Sequence, residues 1–292
     1  MRALLPSACL LACLFPSTAV SGPAQQAAAA PTAAGQPLPQ AVVDRALANE
    51  LRAARDANHP MRYLLRKTTP RLTATREILE TRDGDVARLR SINDEPLGAD
   101  ADRRELERLM ELETDPAKQR HRKQAEDADA ARAVEVLRML PAAFIYRYAG
   151  PGQGKDGPVA RFVFFPNPKF DPPDIETQVL TAMSGEIWID PAAGRVTRLE
   201  GYLDRDVDFG WGILGRLSKG GWIRIEQAEV QPGTWRIVRL QMQMRARVVF
   251  KTRIFDTIEE QSRFSPLPPN LDYRQAIEML KSETAAGEPA QR

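Results

Sequence analysis

Two imidazoles, three spaced aspartates, a glycine-rich loop and an arginine row are the groups in this sequence with the most chemical potential. His59 precedes Pro60, and His121 sits between Arg120 and Arg122-Lys123. Neither has an acid or a nucleophile in a local motif, so both read as exposed polar residues and nothing calls for a Ser-His-Asp triad. Asp204, Asp206 and Asp208 alternate, which on a strand places three carboxylates on one face. A calcium loop would need glycine where Phe209 stands and an acid where Gly215 stands, so a solvated strand end is favoured. Gly210-Trp-Gly-Ile-Leu-Gly215 has the spacing of a dinucleotide loop, but such a loop must open a helix. Ser218-Lys-Gly-Gly221 follows at once, which favours a plain connection between strands, with Trp211 and Leu214 packing on the sheet edge. Glu186 and Glu200 could face each other across a hairpin, as carboxylates do in many β proteins. No catalytic residue, metal site or cofactor is assigned. Arg239, Arg245 and Arg247 share a face without interleaved aromatics, a poor nucleic-acid surface. A solvated sheet face is favoured for them over a contact with acidic lipid headgroups.

The chain around these groups has 292 residues, a formal charge of +2, 43% hydrophobic and 27% charged residues. That balance is globular, and its small net charge excludes a dominant attraction to nucleic acid or anionic lipid. Met1-Arg2, the apolar run Ala3 to Phe15 and the small residues up to Ser21 have the layout of a signal peptide over residues 1–21. A competing reading is lipidation at Cys13, because Leu10-Leu-Ala-Cys13 resembles a lipobox. Both cysteines, Cys9 and Cys13, lie in this leader, so cleavage near Ser21 leaves no thiol for a disulfide or a nucleophile. Residues 22–39 are rich in Ala, Pro, Gln and Gly and read as a flexible tether. A folded domain over 40–282 and a disordered tail over 283–292 complete the expected organisation.

Apolar spacing predicts a helix over Gln40 to Asn58, closed by His59-Pro60. Strands are expected over Met61 to Thr69, Thr73 to Thr81 and Val86 to Ser91, the last two joined by Asp83-Gly84. The charge-rich stretch 99–140 carries Leu106, Leu109 and Met110, then Val134, Leu137 and Leu140, at helical spacing. Asp115-Pro116 divides it into an inserted helical hairpin. From Phe144 onward short alternating runs predict antiparallel strands, and a last helix is expected over Leu271 to Ser282. The sharpest pattern is Trp235 to Phe250. Val238, Leu240, Met242, Met244, Ala246, Val248 and Phe250 occupy one face, and Arg239, Gln241, Gln243, Arg245 and Arg247 the other. Such a run exceeds the ordinary strand of about 5–6 residues and suits a large curled sheet with one apolar face.

Ser184-Gly-Glu-Ile-Trp-Ile-Asp-Pro191, with Arg195-Val-Thr-Arg-Leu-Glu200, resembles a hairpin of the LolA/LolB-like fold. That fold is shared by periplasmic lipoprotein-sorting proteins and RseB/MucB-type stress regulators. The charged insert, the Phe209 to Gly215 segment and the closing helix look like an exported acidobacterial variant of it. The resemblance spans Gln40 to Leu280. It implies an α+β half-barrel: a large curved antiparallel sheet, with the N-terminal helix, the inserted hairpin and the C-terminal helix over the concave face. It also implies a non-enzymatic periplasmic protein that binds an acyl chain or other amphiphile, a lipid or a lipoprotein, and no nucleic acid. The expected cavity wall is Val238, Leu240, Met242, Met244, Val248, Phe250 and Trp188. The alternatives are an envelope interaction or sensing module with a plugged cavity and a protein partner, and, at lower weight, a hydrolase.

The leader gives the first prediction. N-terminal sequencing of exported protein is expected to begin close to Gly22. An intact Met1 or an acylated Cys13 would contradict cleavage at Ser21.

Overall fold

Residues 39–56, 58–174, 177–209, 215–248 and 251–286 are described by a computed structural model of the chain. The leader, most of the tether, Trp211, Leu214 and Phe250 therefore lie outside the described residues, as does the tail beyond residue 286. Helix α1 (Pro39–Ala53) precedes strands β1 (Met61–Thr69), β2 (Leu72–Leu79), β3 (Val86–Ile92) and β4 (Glu95–Pro96). Helices α2 (Ala99–Thr114) and α3 (Pro116–Ala143) follow, and then β5 (Phe144–Gln153) and β6 (Pro158–Pro166). A short 3-10 turn, Thr177–Ala182, leads into β7 (Met183–Asp190), β8 (Arg195–Leu203), β9 (Val207–Phe209) and β10 (Gly215–Leu217). The chain ends with β11 (Trp222–Gln231), β12 (Thr234–Val248), β13 (Lys251–Pro266) and α4 (Tyr273–Ala286).

The thirteen strands make one antiparallel sheet in the order β4-β3-β2-β1-β13-β12-β11-β8-β7-β6-β5, with β9 and β10 attached to β12. The expected α+β class, the long strands and the helices at both ends are all present. Asp83-Gly84 does close the β2–β3 hairpin, with Gly84 at φ +96°. Asp115 does divide the insert, because its carboxylate accepts the Lys118 amide at 3.0 Å and caps α3. The short strands β4, β9 and β10 have too few residues to show a period of two in the sequence.

Burial along β12 follows the alternation. Met242, Met244 and Ala246 are buried, while the alternate residues Gln243, Arg245 and Arg247 are exposed. A one-residue slip would bury those two guanidinium groups, so the register is strongly specified. Following the register across the sheet defines one face, called here the Met242 face. It carries Phe162 and Phe164 of β6, Ile187 and Ile189 of β7, and Leu203 of β8.

The helices are divided between the two faces rather than gathered on one. Val43, Ala46 and Leu47 of α1 pack with Phe162, Phe164, Ile187 and Ile189 on the Met242 face. Leu109 and Leu112 of α2 and Ala276, Ile277 and Leu280 of α4 pack instead with Leu79 and Val86. Those two residues sit on the opposite face, since Leu79 pairs with Val86 and shares its side with Glu77 and Arg88. The inward row of α2 is thus Leu109/Leu112. Met110 stays 45% exposed, although its spacing placed it in the apolar stripe. Arg88, 1% exposed, donates through its two terminal nitrogens to the Leu280 carbonyl and to Asp102 at 2.7 Å, which ties α4 and α2 to β3.

Helix α1 is fixed by one buried carboxylate. Glu50, 8% exposed, takes both guanidinium arms of Arg195 at 2.9 Å, the Val196 amide at 2.9 Å and Gln227 Nε2 at 3.1 Å. Removing one member of a buried pair strands the other charge. Glu50→Ala is expected to lower unfolding stability by about 3–5 kcal/mol in urea titration. A loss below about 1 kcal/mol would show that α1 is held by its apolar face alone.

Candidate functional site

One row of residues crosses the Met242 face from its apolar to its charged end. Phe162, Ile187, Leu199, Ile225 and Leu240 stand opposite one another on β6, β7, β8, β11 and β12. The row continues through Glu259 of β13 and Lys67 of β1 to Ala74 of β2. Phe162 and Ile187 are sealed under α1 and its neighbours, at 1% and 0% exposure. Leu199, Ile225 and Leu240 are only half-buried. Lys67 Nζ meets Glu259 Oε1 at 2.6 Å, closing the apolar strip with an ion pair. The adjacent row runs Phe164, Gly185, Gly201, Ile223 and Met242. Of its two glycines Gly185 is required by packing, because a Cβ there would run into the Glu200 carbonyl and stand 2.7 Å from Phe164 Cζ, whereas one on Gly201 would meet only the flexible end of Met183.

Helix α3 spans this face. Its second half packs through Val136, Leu137, Met139 and Leu140 on the α1 core, where Tyr146 donates to the Leu140 carbonyl at 3.1 Å. Its first half is bound to the end of the β2–β3 hairpin. Gln119 Nε2 donates to the Asp83 carbonyl at 2.8 Å, Arg122 to the Asp85 carbonyl at 3.1 Å, and the Asp85 amide donates to Glu126 Oε2 at 2.9 Å. Below this clasp the face is polar. Tyr63, Glu80, Asp85, Arg122 and Glu126 interact electrostatically, and Arg236 reaches Glu80 at 3.2 Å. Burial, with the neighbouring charges of Glu126 and Glu80, pushes the Asp85 carboxyl up to about 8. Burial also raises Glu80 and Glu126, and it lowers Arg122.

The expected wall residues fall into four groups. Met242 and Met244 are buried, at 7% and 1% exposure, so protein already covers them. Val238 and Leu240 are half-buried. Val248 ends β12, and Phe250 lies outside the described residues. Trp188 is a correction. It lies on the opposite face, because the buried residues of β7 are its neighbours Ile187 and Ile189 and a strand alternates sides. There its Nε1 donates to Glu186 at 2.8 Å and the Arg198 guanidinium sits 4.7 Å over its ring. Leu199, Ile225 and the Lys67–Glu259 pair were not singled out from the sequence, since their position depends on strand order.

The remaining groups find ordinary partners. Glu186 does face Glu200. Burial acts to raise Glu200, but the hydrogen bond and charge of Arg198, with Arg224, hold it below the usual carboxylate range. Arg216 binds both Asp206 and Asp208, and Asp204 accepts from Ser184 Oγ at 3.0 Å. His59 Nδ1 lies 3.1 Å from Asp56 at the surface, and His121 is exposed. Among the described residues no cluster of three His, Cys, Asp or Glu could hold a metal ion. No described helix is long and apolar enough to cross a membrane. A cleft of about 230 Å³ runs between α1 and α3 over Leu47, Leu51 and Leu137. Another, of about 460 Å³, opens on the opposite face at Arg62, Leu64, Glu77 and Arg263.

No protein-family model and no curated protein matches the chain. Among solved structures it is similar to a Vibrio parahaemolyticus domain described as an outer membrane lipoprotein-sorting protein domain. The identity is 11% and the TM-score 0.33, over 82% of this chain and 99% of that one.

The Asp85 environment has a pH consequence. Its carboxyl is protonated in the folded protein up to about pH 8 but ionises near its ordinary value of 3.8 when unfolded. The folded state therefore holds the extra proton, and stability is lost as pH rises through that window. Asp85→Asn is expected to raise the melting temperature more at pH 9 than at pH 5. An equal shift at both would contradict a buried, proton-bearing Asp85.

Proposed function

We propose that the mature chain is an exported, non-enzymatic periplasmic protein that binds the acyl chain of an amphiphile along the Met242 face. The observation that carries this reading is the half-buried strip Leu199, Ile225 and Leu240. It lies between a sealed apolar core and the Lys67–Glu259 ion pair, with α3 spanning the face. An apolar strip that ends in charged groups matches a molecule with a chain and a polar head. Met242 and Met244 stand beside that strip in the next rows of the same face, as deformable packing, a use to which thioethers are suited. The export reading rests on the leader and on a mature chain without thiols. A lipid or a lipoprotein acyl group has the required chemistry.

A second reading is supported by the 1% exposure of Met244. In it the helices themselves fill the face, and the protein is an interaction module of the envelope with no small ligand.

Titration with a long-chain fluorescent fatty acid separates the two. Leu240→Arg places a charge on the half-buried strip without opening the sealed core. It is expected to weaken binding at least ~10-fold while leaving the circular dichroism spectrum unchanged. Equal binding by variant and wild type would remove this site. No binding by either would leave the interaction module.

A further inference from the structure

Between Glu229 and Asp256 the chain has no acidic residue, yet it carries Arg236, Arg239, Arg245, Arg247, Lys251 and Arg253. The structure treats these six in two ways. Arg236 pairs with Glu80 and Arg239 with Glu260 at 3.0 Å. The other four gather where β12 passes into β13, and all are exposed. None of the four has an ion-pair or hydrogen-bond partner for its side chain among the described residues. Ile254 stands directly opposite Arg245 and is 65% exposed, more than any other large apolar side chain described.

The neighbouring charges offset this end only in part, since Arg216 balances one of two nearby carboxylates. Asp206 and Asp208 of the adjoining strand segment are both engaged by Arg216. Asp256 lies one row further in, opposite Gln243. A lone exposed isoleucine is ordinary. Ile254 shares its side of the sheet with Arg245 and Arg247 while Lys251 and Arg253 take the other, so this end of β12 and β13, flanked by β10, joins an apolar contact to cations on both sides. Anionic bilayers reward that pair of features, at about 1 kcal/mol for each basic side chain near the surface. A nucleic acid is a poorer fit, because the described patch offers no aromatic ring for stacking.

We infer that this end of the β12–β13 hairpin docks on an anionic phospholipid surface through Arg245, Arg247, Lys251, Arg253 and Ile254. The inference is independent of whether the Met242 face holds a ligand. It gives the protein a defined contact with the membrane surface.

The test is co-sedimentation of the full mature chain with vesicles of phosphatidylcholine, with and without phosphatidylglycerol. Wild type is expected to partition at least ~10-fold more strongly onto the anionic vesicles, and to lose this in about 0.5 M salt, where screening acts within ~5 Å. Replacing Arg245, Arg247, Lys251 and Arg253 together by Gln is expected to abolish the preference with an unchanged melting temperature. Should that protein fold poorly, the pair Arg245→Gln and Arg247→Gln is expected to cost at least ~3-fold. Equal partition onto both vesicle types, or unchanged partition by the variants, would overturn the proposal. So would tighter binding to polyglutamate than to anionic vesicles at equal charge concentration, which would identify an acidic polypeptide as the partner.

Discussion

Gln119 and Arg122 of α3 donate to the carbonyls of Asp83, Gly84 and Asp85, and Glu126 accepts the Asp85 amide. This clasp at the end of the β2–β3 hairpin is the point on which the helical cover depends. On one side of it α2 and α4 pack against Leu79 and Val86. On the other, α3 continues to the α1 core and the Met242 face. The turn must be narrow for the helix to approach, which is why glycine stands at position 84. A Cβ there would lie 2.8 Å from Glu126 Oε2, and its φ of +96° is one that other residues rarely adopt. The clasp also crowds Asp85 against Glu126 and Glu80, so helix docking and a raised carboxyl pKa have the same cause.

The two faces of the sheet solve different problems. The Met242 face is dry over β5 to β8, half-open over β11 and β12, and charged over β1 and β2. That gradient follows from where helices lie: α1 and the second half of α3 seal one end, while the first half of α3 brings its own charges to the other. The opposite face, over which no described helix lies at β7, β8, β11 and β12, is held by cross-strand charge. Arg198 and Arg224 converge on Glu200, and Arg66 joins Glu260 to Asp94. Individually such pairs contribute little at a surface. As a network they keep long strands in register where no core packs against them.

Local patterns were legible in the sequence and long-range pairing was not. The Met61 to Thr69 strand, the Asp83-Gly84 turn, the Asp115-Pro116 break and the Met242/Met244/Ala246 face were all readable, because each depends on neighbouring residues. The division of helices between two faces was not readable, since it requires knowing that Leu79 and Val86 turn away from Met242. Trp188 was misplaced for a related reason. An aromatic in an apolar run looks internal, but its neighbours Ile187 and Ile189 took the core side, leaving Trp188 to stack under Arg198. Leu199 and Ile225 join Leu240 only once β8, β11 and β12 are known to be adjacent.

The central claim is that the half-buried strip over Leu199, Ile225 and Leu240 is an acyl-chain site. Native mass spectrometry of the protein isolated from its own cell envelope tests it most directly. The account predicts a population heavier than the apoprotein by the mass of one amphiphile, released into organic solvent on denaturation. A single species at the apoprotein mass, under conditions that preserve other lipid complexes, would contradict it.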